Sequence, residues 1–221
     1  MQIVILPGLD GTDLLLGRFV QLAPAKSRVI VLPLPDNSTD DYDSLTSSIA
    51  ERLRELGACH LIAESFSGPI AIRIAARHPE LVRQLTLVAS FAVSPAPAMA
   101  RWLPWSWLFR LPLPLFVAKY FLVGDDHEIA VQLRKAISQT DAATLAKRVR
   151  CVLEVDVCRE LGSLRCPLRY IRPKNDRVVP ARAVRRIREV NPRVTVHEIA
   201  GPHLILQTRP EQSWSAIQPG S

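Results

Sequence analysis

The sequence lacks the usual signs of a metal-binding or nucleic-acid-binding protein. Its four cysteines, at positions 59, 151, 158 and 166, have no metal-ligand spacing, and we interpret them as free thiols of a reducing compartment. It contains no nucleic-acid-binding motif and no array of aromatic residues that would stack on bases. Neither an internal repeat nor a disorder-prone composition is found. We therefore expect a folded domain that binds neither a metal nor a nucleic acid.

A secretion signal and a membrane-spanning helix are not expected either. The first residues, MQIVILPGLDGT, contain no basic segment, and their apolar run is shorter than a signal peptide requires. Residues 102–123 are strongly apolar, but prolines would interrupt a spanning helix there and cations would be costly in lipid. These residues are Pro104, Pro112, Pro114, Arg110 and Lys119. We therefore expect a cytoplasmic protein.

Short apolar runs alternate with helix-length segments along most of the 221 residues, of which 48% are hydrophobic. The apolar runs lie at 3–6, 29–32, 61–63, 85–89, 168–171 and 194–199, and helices are predicted over 42–56, 68–77 and 181–190. Most of the runs are continuous rather than alternating, as expected for parallel strands covered on both faces. The pattern predicts an α/β domain with a compact, mostly parallel sheet of about six strands and helices on both faces.

Residues 94–164 interrupt this alternation and are rich in proline and tryptophan. We interpret them as a helical cap inserted between two parts of one core, residues 1–93 and 165–221. Apolar aromatic side chains of the cap are expected to contact substrate, and these are Trp102, Trp105, Trp107 and Phe109. A cap with exposed aromatic residues would also suit transient contact with a membrane surface.

One serine follows a buried apolar run in the stretch LIAESFSGPIA, residues 61–71. A nucleophile on a sharp strand-to-helix turn needs small residues two positions before and after it. Ser65 has Ala63 and Ser67 at those positions, whereas Ser67 would have Pro69, which fits poorly. Ser65 is therefore the better candidate nucleophile. The alternative is that either serine is only a helix N-cap.

Two further strand ends carry an acid and a base. Asp176 follows the strand run that ends near Ile171, and His203 follows the last strand run. An acidic residue in this place can accept a hydrogen bond from a histidine and hold one tautomer. The alternatives are an aspartate that only shapes a turn and a surface histidine. The order serine, aspartate, histidine favours the catalytic interpretation.

These motifs together resemble the α/β-hydrolase superfamily of serine hydrolases, in particular its carboxylesterases and thioesterases. AESFSG resembles the nucleophile turn, PKNDRVVP the acid turn and GPHLILQTRPE the histidine segment. The resemblance implies Ser65 as nucleophile, His203 as base and Asp176 as its partner, with no metal or organic cofactor. It also implies an oxyanion hole formed by the N–H groups of Leu9 and Phe66, although Pro7 replaces the family's histidine.

Glu64 stands where many relatives have histidine or glutamine, and its role remains open at this point. The aromatic cap indicates a small-molecule ester or thioester with an apolar acyl group. The formal net charge of +7 is concentrated in the second half of the chain. One alternative is therefore an esterase similar to the pimeloyl-acyl-carrier-protein methyl ester esterases, whose acidic carrier protein would contact Arg134, Arg148 and Arg150. Another is a non-catalytic protein of this fold that binds an apolar ligand.

Overall fold

The computed structural model describes residues 2–217, and its centre is a six-stranded, wholly parallel sheet in the order β2-β1-β3-β4-β5-β6. The strands are β1 (Gln2–Leu6), β2 (Arg28–Val31), β3 (Cys59–Glu64), β4 (Val82–Val88), β5 (Leu168–Pro173) and β6 (Thr195–Ile199). β3 lies in the middle of this order, and all of its residues are buried. The predicted α/β fold is thus confirmed, with each predicted strand in place.

Helices cover both faces of the sheet. The core helices are α1 (Gly17–Gln21), α2 (Tyr42–Leu56), α3 (Gly68–Arg77), α8 (Cys158–Gly162), α9 (Ala181–Val190), α10 (Ile205–Thr208) and α11 (Pro210–Ile217). The predicted bounds of α2, α3 and α9 match the structure. The N-terminus of α2 is fixed by Asp41, whose carboxylate accepts the N–H groups of Asp43 and Ser44 while Ser44 Oγ accepts the Asp41 N–H.

Alternate side chains of one strand enter opposite halves of the core. Val4 and Leu6 of β1 pack on the face covered by α2 and α3, while Ile3 and Ile5 pack on the face covered by α1 and α11. On the second face the rings of Phe19 and Trp214 stack with centroids 4.3 Å apart. Because both faces are buried, the strands are continuous apolar runs, which is why their positions could be predicted.

The insertion predicted over residues 94–164 leaves the core after β4. It contains α4 (Trp105–Leu108), α5 (Leu115–Ala118), α6 (His127–Gln139) and α7 (Ala142–Glu154), a 3₁₀ turn at Ala98–Trp102 and a π-helical turn at Lys119–Val123. An antiparallel bridge between Val93 and Asp156 joins the two ends of this segment. α8 falls within the range predicted for the insertion but lies beyond the bridge and packs on α3 and α9 of the core.

The segment predicted to form the cap lies against the loops that follow the last two strands. The Leu204 N–H donates to the Leu122 carbonyl at 2.9 Å, and Arg177 Nη1 donates to the Tyr120 carbonyl at 3.0 Å. Arg177 and Leu204 are the immediate neighbours of Asp176 and His203, so the cap borders the candidate site. No helix within residues 2–217 combines the length and apolarity needed to cross a bilayer.

Candidate active site

Ser65 sits on a sharp turn between β3 and α3. Its φ of 47° is in the left-handed region, which among the described non-glycine residues only Ala89 shares. The turn is packed tightly: a Cβ added at Gly68 would overlap Ser90 Oγ, and Ser90 Oγ donates to the Ser65 carbonyl at 2.7 Å. Glycine at position 68 is therefore required so that α3 can approach the loop after β4. The strained backbone presents the Ser65 side chain at the carboxyl edge of the sheet.

The structure brings Ser65, His203 and Asp176 together from the ends of three strands. His203 Nε2 lies 3.0 Å from Ser65 Oγ, and His203 Nδ1 lies 2.9 Å from Asp176 Oδ2. The side chains of His203 and Asp176 are only 3% and 5% exposed. When Nδ1 donates its proton to Asp176, Nε2 is left to accept the Ser65 hydroxyl proton.

Asp176 is itself held by the turn in which it lies. Its Oδ1 accepts the N–H groups of Val178 and Val179 at 2.8 and 2.9 Å, which leaves Oδ2 for His203. The turn interpretation of Asp176 and the catalytic one are thus compatible, because the two carboxylate oxygens serve different partners. Hydrogen bonds from two N–H groups fix the carboxylate and hence the imidazole plane.

The Ser67 side chain points to the loop after β1 and holds it by a hydrogen bond. Its hydroxyl donates to the Pro7 carbonyl and makes no capping hydrogen bond to α3. Pro7 begins the loop that contains Leu9, so Ser67 links the nucleophile turn to the predicted oxyanion loop. Phe66, the other predicted oxyanion residue, is buried, and its carbonyl accepts the Tyr42 hydroxyl at 3.0 Å. Leu9 and Phe66 therefore lie on two segments that Ser67 joins.

Glu64 is buried directly before Ser65 and pairs with Gln207 of α10. Gln207 Nε2 donates to Glu64 Oε2 at 3.0 Å. Burial raises the pKa of Glu64 to about 7, against smaller opposing effects of Gln207 and His203. Within residues 2–217, Glu64 Oε1 and Gln207 Oε1 are buried without a hydrogen-bond partner. A protonated Glu64 would supply a donor here, so the neutral acid suits this site better than the carboxylate.

Sequence reasoning did not identify Gln207, although a signal was present. Gln207 lies four residues after His203 in the segment GPHLILQTRPE, so a polar side chain close to the histidine was visible in the sequence. The pair joins β3, which precedes Ser65, to α10, which follows His203.

The aromatic residues predicted to contact substrate are spread over the cap. Trp102 and Trp107 are 84% and 57% exposed, while Trp105 donates from Nε1 to the Ala100 carbonyl at 2.9 Å. Phe109 borders a groove of about 680 Å³ whose wall includes Arg134. Within residues 2–217 none of these four side chains forms a hydrogen bond with Ser65, and their contact with substrate stays a prediction.

The prediction that Arg148 contacts an acidic partner is wrong. Arg148 is 2% exposed, and its Nη1 and Nη2 donate to the carbonyls of Leu9 and Pro35 at 2.7 and 2.8 Å. Because Arg148 is buried and donates to backbone carbonyls, it offers no surface to a partner protein. Arg134 and Arg150 are exposed.

Within the part of the chain that the structure describes, no three His, Cys, Asp or Glu side chains cluster so that they could hold a metal ion. The site is instead formed by a serine on a sharp turn after one parallel strand and by an aspartate and a histidine after two later strands. This arrangement on a parallel sheet defines the α/β-hydrolase class of proteins.

Sequence comparison agrees with this class. The alpha/beta hydrolase family matches residues 3–215, and the chain belongs to that family. The resemblance inferred from the three motifs is thus confirmed. The chain is also similar to a pimeloyl-[acyl-carrier protein] methyl ester esterase of Nitrosomonas europaea, with 29% identity over 188 residues that cover 76% of this chain and 71% of the relative.

Solved structures show the same fold. An enol-lactonase from Burkholderia xenovorans superposes with a TM-score of 0.86 at 15% identity, covering 99% of this chain and 90% of the other. A carboxylesterase structure from Nitrososphaera gargenis gives a TM-score of 0.84 at 17% identity, covering 99% and 88%. At these identities the likeness establishes the architecture alone.

Proposed function

We propose that the protein is a serine hydrolase that cleaves a carboxylic ester or thioester with an apolar acyl group. The observation that carries the proposal is the chain of two hydrogen bonds from Ser65 through His203 to Asp176, placed on the strained turn after β3. A protein that only bound a ligand would need none of these three side chains in this relation.

Catalysis would proceed through an acyl-enzyme. Ser65 Oγ attacks the substrate carbonyl carbon while His203 Nε2 takes the hydroxyl proton, and Asp176 stabilises the resulting imidazolium. The negative oxygen of the tetrahedral intermediate accepts the N–H groups of Leu9 and Phe66. His203 then returns the proton to the departing alcohol or thiol. Water, deprotonated by His203, attacks the acyl-enzyme and releases the acid and free Ser65.

A fluorophosphonate probe tests the nucleophile. We expect wild-type protein to be labelled and Ser65→Ala not to be, because the probe reacts with a serine activated by histidine. Ser47→Ala is the matched control, since Ser47 lies on an exposed position of α2 and has no part in the candidate site. Equal labelling of wild type and Ser65→Ala would reject the assignment.

A carrier-protein-bound ester is a second candidate substrate. It is supported by the similarity to the esterase of N. europaea and by the exposed cations Arg110, Arg134 and Lys135, which line one groove of the cap together with apolar residues. An acyl carrier protein is acidic, so a basic surface of this kind would raise the rate of encounter.

Salt dependence separates this candidate from a free small-molecule ester. For a methyl ester on an acyl carrier protein, we expect kcat/KM to fall with added salt and with Arg134→Glu. The same changes should leave hydrolysis of an uncharged p-nitrophenyl ester unaltered. If added salt and Arg134→Glu both leave kcat/KM for the carrier-bound ester unaltered, docking through this surface is excluded.

The non-catalytic alternative makes a different prediction. A ligand-binding protein of this fold would release no p-nitrophenol from p-nitrophenyl esters, whereas an acyl-enzyme mechanism predicts release that disappears in Ser65→Ala. A panel of such esters with increasing acyl length would also establish which apolar chain is preferred.

A further inference from the structure

Four consecutive carbonyls of the predicted oxyanion loop each accept a hydrogen bond. The acceptors and donors are Pro7 with Ser67 Oγ, Gly8 with the Gly11 N–H, Leu9 with Arg148 Nη1 and Asp10 with Thr140 Oγ1. The last two donors come from the cap, Thr140 at the end of α6 and Arg148 in the middle of α7. The cap therefore holds half of these carbonyls.

Fixing the carbonyls also fixes the N–H groups of the loop. A peptide group is planar, so the direction of the Gly8 carbonyl sets the direction of the Leu9 N–H. The Gly11 N–H holds the Gly8 carbonyl at 3.1 Å, and Arg148 holds the carbonyl of the next peptide at 2.7 Å. Within residues 2–217 the Leu9 N–H makes no hydrogen bond of its own, so it is available to an oxyanion.

Arg148 interacts with both residues of the predicted oxyanion hole. Besides the Leu9 carbonyl, its guanidinium carbon lies 5.9 Å from the centre of the Phe66 ring. The loop also leaves space for the guanidinium, because a Cβ added at Gly11 would lie 2.5 Å from Arg148 Nη1. Gly11 has a φ of 74°, so both its conformation and its missing side chain suit this contact.

We infer that Arg148, assisted by Thr140, is a positioning residue for the oxyanion hole, so that the cap is required for catalysis as well as for substrate access. The forked guanidinium spans the carbonyls of Leu9 and Pro35, which a lysine ammonium cannot reach in the same geometry. The inference depends on the proposed function for its effect on rate, but its effect on the loop is independent of activity.

Steady-state kinetics on a p-nitrophenyl ester give the first test. Loss of a single oxyanion donor costs about 10²–10³ in kcat, so misplacing one should cost roughly 10-fold or more. We expect Arg148→Met and Arg148→Lys to lower kcat by that factor while KM changes less than about threefold, because the hole acts on the transition state. Thr140→Val should change kcat in the same direction. Lys147→Met, on the neighbouring position of α7, is the control and should leave kcat unaltered.

Two further readouts separate positioning from loss of folding. Guanidinium ion at millimolar concentration should restore part of kcat to Arg148→Ala and none to Ser65→Ala. Amide hydrogen exchange should accelerate in residues 8–12 of Arg148→Met while exchange in β3 stays as in wild type. The exchange measurement does not require activity, so it tests the clamp even if the proposed hydrolase function fails. Unchanged amide exchange in residues 8–12 would overturn the inference. So would a loss of kcat in Arg148→Met that is accompanied by a loss of global stability and is not rescued by guanidinium ion in Arg148→Ala.

Discussion

Glu64→Gln should make the protein more stable above neutral pH. Glu64 is 2% exposed, and burial raises the pKa of its carboxyl to about 7 from an ordinary value of 4.5. Its one hydrogen-bonding partner among the described residues, Gln207, is neutral, so no positive side chain compensates the carboxylate directly. Ionising Glu64 in the folded protein is therefore costly.

The sign and size of the effect follow from proton linkage. Between pH 4.5 and 7 the unfolded chain releases the Glu64 proton while the folded chain retains it, so the free energy of unfolding falls as pH rises. A shift of one pKa unit corresponds to about 1.4 kcal/mol, and the loss accumulated by pH 8 is about 3 kcal/mol. Glutamine keeps the shape, can pair with Gln207 and does not titrate, so the variant avoids this loss.

Urea unfolding of wild type and Glu64→Gln at pH 5, 6, 7 and 8 measures the effect. The stability of the variant relative to wild type should increase by about 2–3 kcal/mol from pH 5 to pH 8. Glu55→Gln, on an exposed position of α2, controls for the removal of one negative charge. A stability difference between wild type and Glu64→Gln that is flat from pH 5 to pH 8 would refute the reasoning.

Three more outcomes are expected. Gly68→Ala should lower the free energy of unfolding by about 1–3 kcal/mol, because the added Cβ would overlap Ser90 Oγ. Gly17→Ala is the control, since no atom lies within 4 Å of a Cβ at that position. Equal melting temperatures of the two variants would contradict the packing described. Asp176→Asn should lower kcat by about 10⁴-fold with the fold intact by circular dichroism, and a small loss would remove Asp176 from the mechanism. Trp102→Ala should weaken co-sedimentation with anionic vesicles, since this residue is 84% exposed, and wild-type protein that does not co-sediment would exclude the predicted lipid contact.

The core and the three strand-end residues could be predicted because local rules govern them. The double covering of the sheet makes each strand a continuous apolar run, and the sharp turn at Ser65 needs small neighbours at fixed offsets. Parallel strands then place all of their carboxyl ends at one edge, so the order of Ser65, Asp176 and His203 was informative without knowledge of distances.

The contacts of Glu64 and Arg148 could not be predicted, because they join residues far apart in sequence. Glu64 meets Gln207 across 143 positions, and Arg148 meets Leu9 across 139. Pattern reasoning assigns an arginine on an amphipathic helix to solvent, since arginine is rarely buried fully. Arg148 is an exception because two backbone carbonyls accept its donors.

The cap was the least predictable part. Its first two helices, α4 and α5, are four residues long and each is preceded by a proline, so neither a 3.6-residue period nor a strand pattern extends far enough there to fix which side chains face inward. The exposure of Trp102 and Trp107 therefore could not be inferred from their hydrophobicity.

The most direct test of the central claim is to locate the covalent adduct after treatment with a fluorophosphonate. Tandem mass spectrometry of the peptide that contains residues 61–73 distinguishes Ser65 from Ser67 by fragment mass. The account predicts one adduct, on Ser65, that disappears when His203 is replaced by alanine. An adduct on Ser67 or on any serine outside this turn, or no adduct on active wild-type enzyme, would contradict it.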